Sequence, residues 1–343
     1  MPAAEHLTAR CWSRNDLYTL FARTVAKTDL PEEFSNTEGF LAYLGEVGWV
    51  SKVALDQLTK AGPPGGFYLL DPSAVATGTP PDPLELLQAY QSAGVICYFS
   101  ALAYHSLTTQ LASHHHIANP CLPVQSQDGD PCQTTHRHAA GTTGSGGGGP
   151  QRENATQEAA DSGSTAIRRK RNPLGTEVFT YQGIPCYLHR RRSNLLQGAQ
   201  VRDVDARTRL RITSREQTLL DTLQTPAACG GVAVVFEAWE NGTLDLDEER
   251  LAERLQGLNH PLVFRRVGAM LERLGYRAGS RLQGLLQKHQ FPDEEHHFSS
   301  ALLAPGSMEA AAAAAAPPAP QAIALLPGHP FATLSPRWGV LVP

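Results

Sequence analysis

Apolar positions recur at helical spacing in the first part of the chain: Leu17, Leu20, Phe21 and Val25 follow a Ser13/Asn15 start signal and predict one leading helix within residues 1–36. Between residues 37 and 70 the pattern predicts helix, break, helix, and then a Gly/Pro-rich tight connection. Phe40, Leu41 and Leu44 fit a short helix ending at Gly45 to Gly48. Ser51 is placed to cap a second helix containing Val53, Leu55 and Leu58, and residues 61–66 turn the chain into the apolar strand Phe67-Tyr68-Leu69-Leu70. Further on, Pro83 opens a helix behind Asp82 with Leu84, Leu87 and Tyr90 on one face. Val95 to Tyr98 then read as a strand, and Ser100 as the cap of a helix running through Leu107.

The periodicity stops at about residue 125 and returns after 170. In between, the composition is Gly, Ser, Thr, Gln and His, with too little apolar surface to offset chain entropy, which predicts a disordered insertion. The returning pattern is first strand-like. Val178 to Tyr181, a Gln182-Gly183 turn and Ile184 to Leu188 predict a hairpin, and residues 207–213 alternate basic with apolar residues. Two overlapping capping boxes, Thr213-x-x-Glu216 and Ser214-x-x-Gln217, start a helix bearing Leu219, Leu220 and Leu223 that stops at Pro226. Three more helices follow, marked by Val232, Val235, Phe236 and Trp239, by Leu251, Leu255 and Leu258, and by Val267, Met270, Leu271 and Leu274 before Gly275. Leu219, Leu220, Leu223, Val235, Phe236, Trp239, Met270 and Leu271 are expected to share one core. An Ala/Pro tract within residues 305–343 spaces off a closing strand, residues 337–342.

Length and composition narrow the class. A chain of 343 residues that is 41% hydrophobic and 18% charged can build a sizeable core and is not wholly disordered. No apolar run reaches the ~18 residues of a membrane span, and the polar N-terminus has no secretory signal pattern, so a cytoplasmic location without membrane partners is expected. Six cysteines at irregular spacing read as reduced thiols. The net charge of −4 conceals an uneven distribution: from Arg168 to Arg215 there are twelve Lys/Arg against three acids, a surplus of nine positive charges.

Candidate chemistry concentrates on nucleic-acid contact. The run at 37–70 has the length and order of a small winged helix, whose second helix enters the major groove; Ser51, Lys52, Gln57 and Lys60 are its polar, base- or phosphate-facing positions. Lys52 and Lys60 are offset there by Glu46 and Asp56. Arg207, Arg209 and Arg211 share one strand face, expected to lie near Arg190-Arg191-Arg192, and Arg168 to Arg171 form a flexible basic arm. The bland reading of the arginine strand is the solvated face of an antiparallel sheet. His114, His115, His116, Cys121, Cys132, His136 and His138 lack the paired spacing of a zinc site, and the Gly146 to Gly149 run lacks the Lys-Ser/Thr of a phosphate loop. Asp203-x-Asp205 lacks the Gly-Ser that precedes a nucleotidyltransferase pair, and His105 reads as structural. No catalytic, metal or cofactor site is predicted, and the chain is read as a non-enzyme.

The segment Tyr98-Phe99-Ser100-Ala101-Leu102-Ala103-Tyr104-His105-Ser106-Leu107-Thr108 resembles a block of the AbiEi family, antitoxins and transcriptional regulators of abortive-infection toxin–antitoxin systems. Residues 211–221, with Glu216-Gln217-Thr218-Leu219-Leu220-Asp221 and then Cys229-Gly230-Gly231, resemble a second block. Arg265-Arg266-Val267-Gly268-Ala269-Met270-Leu271-Glu272 resembles a third and Pro336-Arg337-Trp338-Gly339-Val340 a terminal one. The resemblance implies an α+β chain: an N-terminal winged helix-turn-helix that binds operator DNA, followed by a mixed α/β antitoxin-type domain carrying a disordered insertion. It also implies a functional partner, a nucleotidyltransferase-like toxin that the antitoxin counteracts without gripping it. The expected organisation is a leading helix at 1–36, the winged helix at 37–72, the C-terminal domain at 82–124 and 171–304 around an insertion at 125–170, and a spacer with terminal strand at 305–343. The alternative is a protein-interaction module whose winged helix no longer binds DNA.

Overall fold

The computed structural model describes residues 10–27, 36–70, 78–121, 172–196, 198–205, 208–290, 322–328 and 333–342. The expected insertion at 125–170, the Ala/Pro spacer and Arg207 lie outside the described residues. The chain is a mixed α/β protein with three sheets and nine α-helices among those residues. No helix there is long and apolar enough to cross a membrane.

The N-terminal part is strand β1 (Cys11–Ser13), helix α1 (Arg14–Val25), helix α2 (Thr37–Glu46), and strands β2 (Ser51–Lys52) and β4 (Phe67–Leu69), with β3 (Gln57–Leu58) between the last two. Strands β1, β4 and β2 form an antiparallel sheet in that spatial order. Ser13 caps α1 by accepting from the Asp16 amide, as the start signal predicted. Leu17 and Phe21 of α1 and Leu41 of α2 are buried with Val50, and the Phe21 and Phe40 rings meet edge to face at 5.2 Å.

The helix predicted to start at Ser51 does not form. Val53 and Leu55 turn inward while Lys52, Ala54 and Asp56 face outward, which is the period of a strand. Backbone partners complete the case: the Val53 amide donates to the Phe67 carbonyl, and those of Asp56 and Thr59 donate to Thr180 and Val178. Strand β3 thereby leaves the small sheet and joins the large one.

That large sheet has seven strands in the order β3-β7-β8-β6-β5-β10-β9. Its further members are β5 (Val95–Ile96), β6 (His115–Cys121), β7 (Thr176–Tyr181), β8 (Ile184–Arg192), β9 (Ala199–Asp203) and β10 (Arg209–Thr213). The expected hairpin is β7–β8, its turn carried by Gln182 and Gly183 at φ of 52° and 75°, the left-handed pair of a tight hairpin turn. Helix α3 (Pro83–Tyr90), capped by Asp82, covers one face of the sheet, where Ile96, Ile117, Cys186 and Ile212 meet Leu86 and Leu87.

Against the opposite face pack helix α4 (Tyr98–Tyr104) and then α5 (Arg215–Gln224), α6 (Val232–Thr243), α7 (Glu248–Leu258), α8 (Pro261–Arg273) and α9 (Ser280–Gln287). Helix α4 begins at Tyr98, not behind Ser100, whose side chain instead accepts from the His116 amide inside the fold. Ser214, not Thr213, caps α5. The eight residues expected to share a core do so: seven are buried, and Phe236 packs against them half-buried. A last small sheet, β11 (Ile323–Ala324), β13 (Val340–Val342) and β12 (Thr333–Ser335), closes the body. Cys97, Cys186 and Cys229 are buried thiols, and Cys11, also buried, donates from Sγ to Glu85 Oε2 at 3.3 Å. Cys121 is disulfide-bonded, which corrects the expectation of six reduced thiols.

Trp239 sits at the centre of the helical core, fully buried, its indole donating to Thr222 Oγ1 at 3.0 Å. Trp239→Ala is expected to cost about 3–5 kcal/mol, the range for removing a large core aromatic. Urea denaturation checks it; an unchanged midpoint would place the indole outside the core.

Candidate functional site

The predicted DNA-facing residues fall into two groups that the fold keeps apart. Ser51 is half-buried and Lys52 exposed on β2; Gln57 is exposed on β3, and Lys60 follows it, exposed, in the turn toward β4. Gln57 pairs with Thr180 of β7, so this region is anchored to the large sheet. Arg209 and Arg211 lie half-exposed on β10, with Leu210 and Ile212 buried on the opposite face as the alternation required. Four strands separate β3 from β10, a lateral distance of about 24 Å at the usual strand spacing. The expected neighbourhood of Arg209 and Arg211 with Arg190-Arg191-Arg192 is corrected too, because β6 and β5 intervene between β8 and β10.

Arg191 is not a surface residue at all. Strand alternation turns Tyr187 and Arg191 inward and leaves Arg190 and Arg192 exposed. The Arg191 guanidinium reaches Asp221 of α5 through two bonds of 2.7 Å, with side-chain exposures of 2% and 0%. Gln217 Nε2 donates to the same carboxylate at 2.8 Å, and the guanidinium lies over the Tyr98 ring, 5.0 Å from its centroid. Burial opposes the charge on Arg191, and the adjoining carboxylate more than restores it, holding its pKa well above the usual value.

Tyr98 itself has φ of +55°, an unusual conformation for an aromatic residue, at the sharp turn from β5 into α4. Its ring contacts those of His116 and His189 at centroid distances of 5.6 and 4.7 Å. The imidazoles form a chain: His116 Nδ1 lies 2.9 Å from His189 Nε2, and His116 Nε2 lies 2.6 Å from His114 Nδ1. Among the described residues no group of three or more His, Cys, Asp or Glu is arranged to hold a metal. These ring nitrogens bond one another, and the cluster is built as a neutral polar seam between sheet and helices. His114 and His116 stood in the rejected zinc set and Arg191 in an expected surface cluster, while His189 and the buried pairing of Arg191 with Asp221 were not foreseen. The inward alternation of Tyr187, His189 and Arg191 on a strand was the available signal.

Burial is the main cause that holds these histidines below their ordinary range, to about 4 for His115 and about 3 for His189, with His114 and His116 shifted in the same direction. His105 is also lowered by burial, and its Nε2 lies 2.7 Å from the Thr213 carbonyl oxygen, a structural contact as expected.

No protein-family model matches this chain, and no curated protein matches it. The crystal structure of the RV2827C protein from Mycobacterium tuberculosis is similar over 97% of this chain and 86% of that one, with 15% sequence identity and a TM-score of 0.46. At that distance the likeness assigns no activity.

Removing one partner of a fully buried ion pair strands the other charge. Asp221→Ala is therefore expected to cost about 3–5 kcal/mol, while the double change of Arg191→Met with Asp221→Leu recovers most of it. Denaturation of the three proteins checks this; equal losses in single and double variants would show that the pair is not coupled. The histidines add a pH dependence. Their folded pKa values lie below the unfolded value near 6.5, so the unfolded chain binds more protons between the two. Stability is then complete above about pH 6.5 and falls as the pH drops through 6 toward 4, by about 1.4 kcal/mol per pH unit for each such ring. His116→Gln is expected to flatten that slope by about one proton relative to the parent chain; identical slopes would exclude His116 as a contributor.

Proposed function

We propose that the chain is an antitoxin-like transcriptional regulator, with an N-terminal winged helix-turn-helix that binds operator DNA and a mixed α/β domain that counteracts a nucleotidyltransferase-like toxin without gripping it. The observation that carries the DNA part is the order β1, α1, α2, β2, β4 with β4 between β1 and β2 in an antiparallel sheet and both helices packed on a common core. In this frame the helix that approaches the groove is α2, one element earlier than the sequence pattern indicated. Lys52 and Lys60, with Gln57, then belong to the wing between β2 and β4, where cations meet phosphate. Arg209 and Arg211 supply a second, distant phosphate contact, and Arg207 of the same strand run lies outside the described residues. The chain is read as a non-enzyme of the cytoplasm that needs no cofactor.

The alternative reading is a protein-interaction module with a winged helix that has lost its DNA. It is favoured by the charge of α2, which carries Glu38 and Glu46 and neither lysine nor arginine.

Gel-shift titrations of the full chain against the duplex upstream of its own gene separate the two. The regulator is expected to bind with an affinity that falls with salt at a log–log slope of about −0.9 per phosphate neutralised. Replacing Lys52 and Lys60 together by Ala should reduce that slope by about two contacts, and replacing Arg209 and Arg211 should weaken all duplexes alike. Absence of binding at low salt would leave the interaction module standing.

A further inference from the structure

Helix α5 starts later than the first of its two capping patterns predicts, and the shift leaves a carboxylate over. Ser214 takes the cap by accepting from the Gln217 amide, so Glu216, the acid of the Thr213-x-x-Glu216 pattern, has no cap residue to bond back to. It stands in the first turn with 4% of its surface exposed, and among the described residues no hydrogen bond or ion pair reaches its carboxylate. The positive end of the helix favours an acid there without supplying it a donor. Buried polar groups are ordinarily hydrogen-bonded, and a carboxylate buried to this extent without a donor calls for one from outside the chain.

Glu216 lines a cleft of 390 Å³ between β9, the end of α4 and the first turns of α5 and α7, a size that suits a small molecule. His105, the residue after α4, lines the same cleft. Its Nε2 lies 2.7 Å from the Thr213 carbonyl oxygen, which can only accept, so Nε2 carries the proton and the neutral ring offers Nδ1 as an acceptor. Burial lowers the His105 pKa and Glu216 opposes that through space, which sets carboxylate and imidazole near each other. The cations of the cleft are matched unequally. Arg250 pairs with Asp247 at 3.0 Å and Arg215 with Asp245 at 3.5 Å, while Arg202, exposed on β9, bonds the neutral amide of Gln200 and forms no ion pair among the described residues. One carboxylate and one guanidinium of the cleft are thus left without an opposite charge, and Leu246 adds an apolar wall. We infer that this cleft binds a small zwitterion of amino-acid type, its ammonium held by Glu216 and His105 and its carboxylate by Arg202.

None of these residues belongs to the DNA contacts proposed above, so the two readings stand or fall separately. The test is saturation-transfer NMR of the full chain with the common L-amino acids at millimolar concentration. Their N-acetyl and methyl-ester derivatives, which delete one charge each, serve as controls. Free amino acids are expected to bind and both kinds of derivative to lose binding. Glu216→Gln should weaken the tightest of them by about 10-fold or more, as loss of a charge-assisted hydrogen bond does, and Arg202→Gln by about 2–5-fold, as loss of an exposed charge does. Glu216→Gln breaks no bond within the chain, so without ligand it is expected to melt no lower than the parent, and a bound amino acid is expected to raise the melting temperature of the parent alone. Absence of binding by every free amino acid, equal binding of the N-acetyl derivatives, or parent-like affinity in Glu216→Gln overturns the proposal. Should Glu216→Gln melt lower, the exposed Arg202→Gln decides alone, and parent-like affinity there overturns the proposal.

Discussion

A guanidinium and a carboxylate shut away from water together are the constraint around which this chain is arranged. Neither Arg191 nor Asp221 can be buried alone, since an unpaired charge in the interior costs several kcal/mol. Strand β8 and helix α5 must therefore come together at one register, and the sheet and the helical layer with them. The pair also explains its neighbourhood. Gln217 occupies remaining acceptor capacity on Asp221, and the Tyr98 ring covers the guanidinium face. Tyr98 reaches that position from the first residue of α4 in a strained backbone conformation, which the surrounding contacts have to hold. The histidine chain completes the seam with groups that remain polar without adding charge beside Arg191.

The same logic recurs at the C-terminal closure. Arg265 donates to the carbonyls of Trp338 and Gly339, and Arg266 to those of Ala324 and Leu223, so arginines on α8 satisfy backbone oxygens of the last sheet and of α5. Gly268 lies directly beneath the Trp338 ring, where a Cβ would meet it at 2.5 Å. The four segments that carry the family resemblance are thus in contact in pairs. Tyr98 and Asp221 flank Arg191, and Gly268 meets Trp338. Their residue types are those that two buried junctions require, which is a physical reason for their identity independent of any activity.

Most helices could be read from the chain because their apolar spacing and caps agree with their packing: Ser13, Asp82 and Ser214 each accept from an amide of the first turn they cap. The region after Ser51 could not. Val53, Leu55 and Leu58 fit a helix loosely, and what decides for strand is distant backbone, Phe67 for Val53 and Thr180 and Val178 for Asp56 and Thr59. Long-range pairing of that kind leaves only a period of two over a few residues, easily mistaken in so short a run. The same limit hid Arg191. Three successive arginines read as a surface cluster, although alternation on a strand sends the middle one inward, and its partner lies 30 positions away on another element.

The functional readings turn on where charge sits relative to shape. The winged helix proposed above would need cations where its helix and wing meet phosphate, and in that reading β2 and the connection after it carry Lys52 and Lys60 while α2 carries neither lysine nor arginine. Lys52 lies on β2 of the small sheet and Lys60 just after β3 at the edge of the large one, while Arg209 and Arg211 lie on β10, beyond four intervening strands, about 24 Å from β3 at the usual strand spacing. An affinity assembled from separated cations is non-specific and strongly salt-dependent, because phosphate contacts position a protein without reading sequence. Sequence preference would have to come from base contacts, and the acidic, aromatic face of α2 is poorly suited to make them. In the proposed reading, that mismatch between topology and charge leaves the duplex held mainly by the cations of β2, of the connection after it and of β10, and only weakly by α2.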